Sequence, residues 1–234
     1  MKISIGKREL FEYVKNQVDY FFPDKYGFKG KDLEIAFDLS LDRLENCFKY
    51  ITFPAYCNQK GQTFFSHLHS DQYAHFLYYF SNSLWKQSEN KRICDKLIYL
   101  NKTLNGFFFS YKGKLPDVFF FGHPVGSIIG NANYSNFLVV FQNVTINTDK
   151  GECGEPAPKL GKGLFCAAGA KIIGNKPIGN CVSLGVDALV YNKTIPDNKV
   201  VIRDESGKVI IKDRKKEKCM AQNYFNVDVC TDLL

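Results

Sequence analysis

The sequence predicts an α+β protein, in which a helical N-terminal region is followed by a parallel β-helix built from six-residue repeats. Two observations predict this division. Apolar residues recur at helical spacing before residue 105 and at a six-residue spacing in the second part of the chain. Only four of the 18 glycines precede residue 105. We therefore expect an α-helical domain over residues 1–105, a β-helix domain over 106–212 and a C-terminal tail over 213–234.

Each predicted helix carries an apolar stripe. Spacings of three and four residues place such side chains on one face of a helix, where they form a core. The four stripes are, in chain order, Leu10, Val14 and Val18; Leu33, Phe37, Leu41, Leu44 and Phe48; Tyr73, Phe76, Phe80 and Leu84; and Ile93, Leu97, Leu100 and Leu104. Pro23 ends the first stripe, because proline lacks a main-chain donor and does not continue a helix.

The six-residue period is the stricter signal. Steps of six from Leu160 land on Cys166, Ile172, Ile178, Leu184 and Val190, and the next residue is often glycine or alanine. A helix of 3.6 residues per turn does not produce this period, whereas short strands that turn a corner every six residues do. Because one coil cannot bury its own faces, the coils must stack. Residues 147–158 break the period and predict a loop, which is either functional or an insertion tolerated at the surface.

The composition is that of a folded protein, with 45% hydrophobic and 24% charged residues. It excludes a disordered chain, and no window approaches the roughly 20 apolar residues of a membrane span. Residues 1–8 lack the apolar core of a signal peptide, so we expect a cytoplasmic protein. The net charge of +7 suits an anionic ligand but is not in itself a nucleic-acid signature. Much of the excess lies in 212–218, where a solvated run is expected.

The eight cysteines include no C-x-x-C pair, which argues against a zinc ribbon and a thioredoxin motif. In a cytosolic protein we expect free thiols, and Cys166 and Cys181 fall inside the apolar repeat, where they would fill the core. His67, His69 and His75 form a separate cluster. Metal binding is not expected there, because no cysteine or second carboxylate lies at ligand spacing. Contact with a substrate and a plain surface or interface role remain open for this cluster.

Four segments of the second part occur in an order that is typical of one enzyme family. They are residues 122–130 (GHPVGSIIG), 141–146 (FQNVTI), 158–163 (PKLGKG) and 167–175 (AAGAKIIGN). Together with a helical N-terminal region, they resemble serine acetyltransferase, a family of hexapeptide-repeat acyltransferases. The closest stretch runs over about 115–201, and the first hundred residues resemble the family only in being helical.

The resemblance implies a left-handed parallel β-helix and an acetyl-CoA-dependent O-acetyltransferase that assembles into homotrimers, or into dimers of trimers. It places the family's general base at His123. The chemistry needs such a residue, because a hydroxyl is a poor nucleophile until a base takes its proton during attack on the thioester. Asp117 is the carboxylate expected to orient the imidazole, and Glu155 is a second candidate.

The resemblance also implies where acetyl-CoA binds. Family members hold the pantetheine and the thioester between neighbouring β-helices, mainly through main-chain groups at corners of small residues. A main-chain N–H at such a corner stabilises a developing oxyanion. The matching positions are Ala167, Ala168, Gly185 and Val186, and Lys171 and Lys193 are candidates for binding the CoA phosphates. No metal ion, nucleic acid or membrane span is expected.

Three departures from the family pattern bear on the acceptor. Gly122 replaces an aspartate, and Pro156 and Ala157 replace an arginine and a histidine that help to bind the amino acid. A carboxylate needs a cationic or hydrogen-bonding partner, which the side chains of proline and alanine do not supply. We therefore expect the acceptor to be a sugar hydroxyl in surface polysaccharide synthesis. The residues expected to hold it are Gln142, Asn143 and Glu155.

Two other functions remain open. One is a genuine serine O-acetyltransferase of cysteine biosynthesis, which the helical N-terminal region favours. The other is an inactive trimeric β-helix that serves as an assembly scaffold. The intact Gly-His-Pro segment argues against a scaffold, because a scaffold needs no positioned base.

Overall fold

The computed structural model describes residues 1–146, 149–150 and 154–231, with main chain only at 149–150. Over these residues, four α-helices precede a series of short and mostly parallel strands. The α+β class predicted from the sequence is therefore confirmed. No helix in this part of the chain is both long enough and apolar enough to span a lipid bilayer.

The helices are α1 (Lys7–Phe21), α2 (Lys31–Phe48), α3 (Ser70–Ser88) and α4 (Lys91–Asn105). Each predicted stripe forms the buried face of one helix. The exception is Leu104, which is 40% exposed because it lies in the last turn of α4, beside the left-handed Gly106 that ends the helix. Helix α3 is buried along most of its length, since it packs against α2, α4 and the first coil of strands.

The strands, in chain order, are β1 (Lys2–Ile3), β2 (Phe64–Phe65), β3 (Phe108–Phe109), β4 (Phe119–Phe121), β5 (Ile128–Ile129), β6 (Asn133–Tyr134), β7 (Leu138–Val140), β8 (Thr145–Ile146), β9 (Asp149–Lys150), β10 (Pro156–Ala157), β11 (Lys159–Leu160), β12 (Phe165–Cys166), β13 (Lys171–Ile173), β14 (Ser183–Leu184), β15 (Leu189–Tyr191), β16 (Lys199–Arg203) and β17 (Val209–Asp213). The coils have three faces. The first face has the order β4-β7-β12-β14-β16-β17 and the second has β3-β5-β8-β13-β15. The third face pairs β6 with β11 and continues through single bridges at Ile178 and Ile195.

The register of the three faces explains the six-residue period. Residues that pair between successive coils lie three repeats apart in the sequence. The pairs are Cys166 with Leu184 on the first face, Ile172 with Val190 on the second and Leu160 with Ile178 on the third. Each coil therefore contributes one repeat to each face. The residues at the six-residue steps point inward and are buried, so that they form the core of the β-helix.

An insertion interrupts the coils where the sequence predicts a loop. Ile146 pairs with Ile172, a step longer than three repeats, and the excess falls within 147–158. Residues 147, 148 and 151–153 of that segment lie outside the described part of the chain. In the remainder, β9 and β10 pair antiparallel. The register of the core is kept across the insertion, because Cys166 on the far side still pairs with Val140.

The end of the chain packs back onto the rest of the protein. A short 3₁₀ helix, Met220–Tyr224, contacts β7, and Phe225 forms a bridge with Ile51 just beyond α2. The N–H of Asn226 donates to the carbonyl of Tyr50 at 2.9 Å. The basic run 212–218 that precedes this segment is mostly exposed. The tail is therefore folded over residues 219–229, and it lies against the junction of the helices and the β-helix.

One corner of the third face tolerates no side chain. A Cβ on Gly161 would lie 2.4 Å from the main-chain carbonyl of Gly179 in the next coil. We expect Gly161→Ala to lower the free energy of unfolding by about 2 kcal/mol, because the added methyl must push two main chains apart. Denaturant unfolding followed by circular dichroism measures the change. Gly27→Ala is the matched control, since its Cβ would have no neighbour closer than 4.0 Å. Equal losses in the two variants would contradict this account of the corner.

Candidate active site

His123 lies at the first corner of the β-helix, just after β4. Oδ2 of Asp71 lies 3.1 Å from Nδ1 of His123 and also accepts a hydrogen bond of 3.0 Å from the main-chain N–H of His123. A carboxylate only accepts, so its proximity favours a proton on Nδ1, and in the neutral ring with that proton Nε2 is the acceptor. The side chain of His123 is 80% exposed and that of Asp71 is 4% exposed. A buried carboxylate thus fixes an imidazole whose other nitrogen faces outward.

The main chain at His123 is constrained in the same way as the ring. Its φ is +49°, in the left-handed region that non-glycine residues seldom adopt. Such a conformation costs of order 1 kcal/mol and persists where the surroundings hold it. The hydrogen bond from the His123 N–H to Asp71 supplies part of that hold, and the neighbouring N–H of Gly122 donates to Val140 at 2.9 Å. The direction of the imidazole is therefore set by both the coil and α3.

Asp71 is the second residue of α3, and its position follows from the packing of that helix. The N-terminal turn of a helix favours a carboxylate, because unpaired N–H groups give it a partial positive charge. One turn later, Nδ1 of His75 lies 2.8 Å from the Asp71 carbonyl, and the His75 ring stacks on Phe119 with centroids 4.6 Å apart. The stacked ring couples α3 to β4. The first turn of the helix is thereby held over the corner that carries His123.

The structure corrects the sequence-based choice of the orienting carboxylate. Asp117 lies just before β4, where its carbonyl accepts from the Tyr79 hydroxyl at 3.3 Å. Its side chain lines a separate cavity with Arg43. Asp71, rather than Asp117, contacts His123. No sequence motif links the two residues, because Asp71 lies at the start of α3, far from His123 along the chain.

A cavity of about 390 Å³ opens beside His123. Aromatic rings make up much of its wall. The lining residues are Phe53, Ala55, Tyr56, His69, Asp71, Phe120, Gly122, His123, Phe141 and Tyr224. No lysine or arginine is among these lining residues. We call this cavity the aromatic pocket. It is assembled from the segment after α2, the start of α3, the first two coils and the C-terminal 3₁₀ helix.

Two polar groups in the aromatic pocket are unsatisfied. The hydroxyl of Tyr56 and Nδ1 of His69 are buried and have no hydrogen-bond partner within the described residues. Burial raises the pKa of Tyr56 well above its usual value, so the group remains a phenol that can donate. Buried polar atoms are nearly always paired, and an unpaired one at a cavity is a place where a ligand can bond. These two atoms are the strongest signs of an acceptor site beside the imidazole.

The other members of the histidine cluster have different surroundings. His67 bonds to the Ser4 hydroxyl at 2.8 Å and contacts the Tyr13 ring. His75 is fully buried, and burial lowers its pKa to about 4. No group of possible metal ligands was found around the three histidines in the described part of the chain. The cluster therefore divides into a surface residue, a pocket residue and a core residue.

A single corner of the β-helix collects most of the residues predicted to bind substrates. Phe121, Val140, Cys166 and Leu184 are paired in register on the first face, and the residues two positions later are His123, Gln142, Ala168 and Val186. These four form a column, which we call the corner column. Main-chain hydrogen bonds connect the coils beside Gln142, Ala168 and Val186. The N–H of Gly169 donates to the carbonyl of Gln142, and the N–H of Asp187 donates to the carbonyl of Ala168, both at 2.9 Å.

The main chain of the corner column has groups available for a ligand. The N–H groups of Ala167 and Gly185 are used, because they donate to the next coil at 3.0 and 2.8 Å. Those of Ala168 and Val186 have no protein acceptor within the described residues. Oε1 of Gln142 is buried and likewise unpaired there. Free main-chain donors that stack below an imidazole are suited to a thioester oxygen.

The remaining candidates are less closely associated with this column. Nζ of Lys171 donates to the Gly169 carbonyl at 2.8 Å, beside Ala168. Lys193 is exposed beyond the end of β15, at the next corner of the coil. Asn143 is exposed, with a φ of +57°, at the turn that follows Gln142. Glu155 is exposed just before β10.

No family model matches the chain. Curated relatives named serine acetyltransferase do match it. That of Haemophilus influenzae is 27% identical over 110 residues, which are 47% of this chain and 40% of the relative. That of Synechococcus elongatus is 28% identical over 119 residues, 50% of this chain and 49% of the relative. That of Bacillus pumilus is 30% identical over 99 residues, 42% of this chain and 45% of the relative. The chain thus spans about half the length of these relatives, or less.

Solved serine acetyltransferases have the same fold. The enzyme of Vibrio cholerae matches with a TM-score of 0.63 at 20% identity, over 80% of this chain and 72% of that one. A serine acetyltransferase in complex with cysteine matches with a TM-score of 0.62 at 16% identity, over 92% of this chain and 97% of that one. A serine acetyltransferase in complex with CoA matches with a TM-score of 0.59 at 20% identity, over 76% of this chain and 73% of that one. The predicted resemblance to the serine acetyltransferase-like family is confirmed. The likeness also confirms the predicted left-handed β-helix.

The buried His75 predicts how the stability of this serine acetyltransferase-like fold depends on pH. In the unfolded chain its ring takes a proton below pH ~6.5, whereas in the fold it resists protonation until about pH 4. The free energy of unfolding should therefore fall by up to about 3 kcal/mol as the pH drops through that window, and this contribution is intact above it. Thermal unfolding at a series of pH values measures the slope. His75→Gln should flatten it, while His67→Gln should keep it. An unchanged slope in His75→Gln would refute the assignment.

Proposed function

We propose that the chain is an acetyl-CoA-dependent O-acetyltransferase in which His123 is the general base and Asp71 is its positioning residue. The contact between Asp71 Oδ2 and His123 Nδ1 carries this proposal. It satisfies the requirement for an oriented base with a free second nitrogen. The names of the curated relatives support acetyl transfer, and the neighbour solved with CoA supports CoA as the carrier of the acetyl group.

The proposed reaction is a direct transfer. Nε2 of His123 takes the proton of the acceptor hydroxyl as its oxygen attacks the thioester carbonyl. The tetrahedral intermediate collapses, the C–S bond breaks, and the CoA thiolate leaves and takes a proton back from the imidazolium. Asp71 holds Nδ1 protonated and stabilises the imidazolium while it exists. The products are the acetyl ester and CoA thiol, with no net change in protonation.

The corner column is the proposed site of acetyl-CoA. Successive coils are spaced by about 4.8 Å, so Ala168 and Val186 follow below His123 at two and three coil spacings. A pantetheine chain laid along the column would place its thioester near the imidazole and its amides against the free N–H groups. Lys171 and Lys193 are the proposed partners of the phosphates. The Lys171 amine would leave its bond to Gly169 to reach them.

A second copy of the chain would supply the other wall of this cleft. The second face exposes apolar side chains at two places, with Ile128 at 53% exposure in one coil and Leu189 at 41% and Tyr191 at 71% in a later coil. Thr145 and Lys171 lie between Ile128 and Leu189 in the register of this face. Val186 of the corner column is 62% exposed and lies three residues before Leu189. A group of exposed apolar side chains such as Val186, Leu189 and Tyr191 is characteristic of an interface. We therefore include the expected homotrimer, possibly paired into a hexamer, in the proposed function.

Removing the charge of Asp71 tests whether this carboxylate positions His123 for catalysis. Asp71→Asn preserves shape but favours the wrong tautomer of His123, so we expect kcat to fall by about 100-fold or more. His123→Asn should lose at least as much. Asp117→Asn is the matched control, since that carboxylate makes no contact with His123, and it should retain activity. Thioester consumption followed by release of CoA thiol gives the rates. If Asp117→Asn fell and Asp71→Asn did not, the assignment of the two carboxylates would be reversed.

We propose a sugar hydroxyl as the acceptor, in the synthesis of a surface polysaccharide. The aromatic pocket supports this, because flat rings pack against sugar rings and the free Tyr56 hydroxyl and His69 nitrogen can bond to neutral hydroxyls. A second observation concerns Gly122, where the family has an aspartate. A Cβ there would lie 2.8 Å from the Phe141 ring. The ring fills the space that a carboxylate for binding an amino group would need.

Serine O-acetylation is the second candidate. The names of the curated relatives favour it, and one neighbour was solved with cysteine, itself an amino acid. Against it stands the absence of any lysine or arginine among the residues that line the aromatic pocket. A zwitterion would leave its carboxylate there without a cationic partner. A third reading, the inactive scaffold, does not account for the buried carboxylate on His123.

A panel of acceptors separates the first two candidates. We expect measurable transfer to hexoses or nucleotide sugars and weak transfer to free L-serine. Tyr56→Phe should raise KM for the sugar by about 10-fold with little change in kcat, because a neutral hydrogen bond to the ligand is lost. Tyr50→Phe, outside the pocket, is the control. Serine turnover with kcat/KM above about 10⁴ M⁻¹s⁻¹, the lower end for a physiological substrate, would overturn the sugar assignment.

A further inference from the structure

Three cysteine side chains converge where the tail meets the β-helix. The Sγ atoms of Cys181, Cys219 and Cys230 all lie within 4.8 Å of one another. Cys181 is at a corner just before β14, and the other two flank the 3₁₀ helix of the tail. The described thiols elsewhere in the chain do not form such a group. No short sequence motif predicts this cluster, because its members are separated by long stretches of chain.

Two of the three sulfurs are already in contact, since Sγ of Cys181 lies 2.8 Å from Sγ of Cys230. Cys219 is the N-cap residue of the 3₁₀ helix of the tail, where the N–H of Gln222 donates to the Cys219 carbonyl at 3.1 Å. Cys181 and Cys219 are buried, and Cys230 is exposed. Three thiols that converge in this way form a set of soft ligands for a metal ion rather than core filler.

We propose that Cys181, Cys219 and Cys230 bind one soft divalent cation of the zinc class. Thiolates select such ions, and Zn²⁺ binds sulfur at about 2.3 Å in a tetrahedral arrangement. Three tetrahedral sulfurs at that distance lie about 3.8 Å apart, which is within the spread of the cluster. Cys181 and Cys230, now 2.8 Å apart, would separate by about 1 Å on binding. A water molecule completes the four ligands.

Binding involves no redox step. Each thiol gives up its proton when it binds the ion, so up to three protons pass to the solvent for each ion bound. A disulfide between Cys181 and Cys230 would use two sulfurs and leave out Cys219, although its sulfur lies within 4.8 Å of both. A single metal ion uses all three sulfurs. The geometry of the cluster therefore favours the cation.

The ion would join the tail to the β-helix beside the aromatic pocket. Cys219 immediately precedes Met220–Tyr224, and the Tyr224 ring is a wall of that pocket. Val229 is buried next to Cys230, over the corner at Gly163 and Cys181. A bound ion would restrict the motion of the tail, which otherwise makes few main-chain hydrogen bonds to the coils. The role is structural, and it stands or falls independently of the proposed acetyl transfer.

The test measures metal on the full-length chain, purified and kept under a phosphine reductant. We expect about one zinc ion per chain by elemental analysis, and the release of up to three protons per ion when Zn²⁺ is added back after chelation. Co²⁺ should give the intense sulfur-to-metal absorption of thiolate ligation. Each of Cys181→Ser, Cys219→Ser and Cys230→Ser should weaken Zn²⁺ binding by more than about 10-fold. Cys57→Ser, a buried cysteine outside the cluster, is the matched control and should bind as the unaltered chain does.

Stability gives a readout that needs no variant. A chelator should lower the thermal midpoint of the unaltered protein, since an ion bound only by the folded state stabilises it, and Zn²⁺ should restore it. Reduced protein that takes up no stoichiometric Zn²⁺ or Co²⁺ would overturn the proposal. So would equal binding by Cys219→Ser and Cys57→Ser. A Cys181–Cys230 disulfide that persists in protein purified without oxygen would assign the cluster to structural cross-linking instead.

Discussion

Main-chain hydrogen bonds between successive coils fix the position of His123 and of the corner column below it. Each corner residue is located by the strand before it, and each strand is located by its partner one coil away, as in the pairing of Val140 with Cys166 and of Cys166 with Leu184. The consequence is that residues three repeats apart become neighbours. Gln142, Ala168 and Val186 lie below His123 for this reason and not because of their own side chains. The constraint is strict at the corners, where Gly161 leaves no room for a methyl group.

The helical region contacts this scaffold at the corner that carries His123. Helix α3 packs against the first coil through His75 and the Phe119 ring, and this contact brings Asp71 to His123. The buried carboxylate does two things at once, since it accepts a hydrogen bond from the main-chain N–H of His123 and lies 3.1 Å from Nδ1 of its ring. A base on a β-helix corner would otherwise be free to rotate. The helices are therefore part of the candidate catalytic machinery as well as a cap on the coils.

The acceptor side of the site has a different origin from the acetyl-CoA side. The corner column is built from the repeats alone, whereas the aromatic pocket needs Phe53 from the segment after α2 and Tyr224 from the tail. The rings from these segments contact each other and the coil, with Phe53 and Tyr224 centred 5.7 Å apart and Phe120 and Tyr224 centred 5.0 Å apart. Such an arrangement lets one scaffold keep its donor site while the acceptor pocket changes. The Phe141 ring beside Gly122 is one such change from the family pattern.

The sequence by itself determined the coils, because a six-residue period has only one structural solution, and it placed His123 and the corner residues through the order of four short segments. Helical stripes likewise predicted which faces of α1 to α4 are buried. Only the tertiary structure decided that Asp71 rather than Asp117 contacts the imidazole, that the tail folds back to complete a pocket, and that three thiols meet. The physical reason is that a repeat is encoded locally, in the spacing of apolar residues. A contact between remote segments depends on how helices and tail pack, and that packing leaves no periodic pattern in the chain.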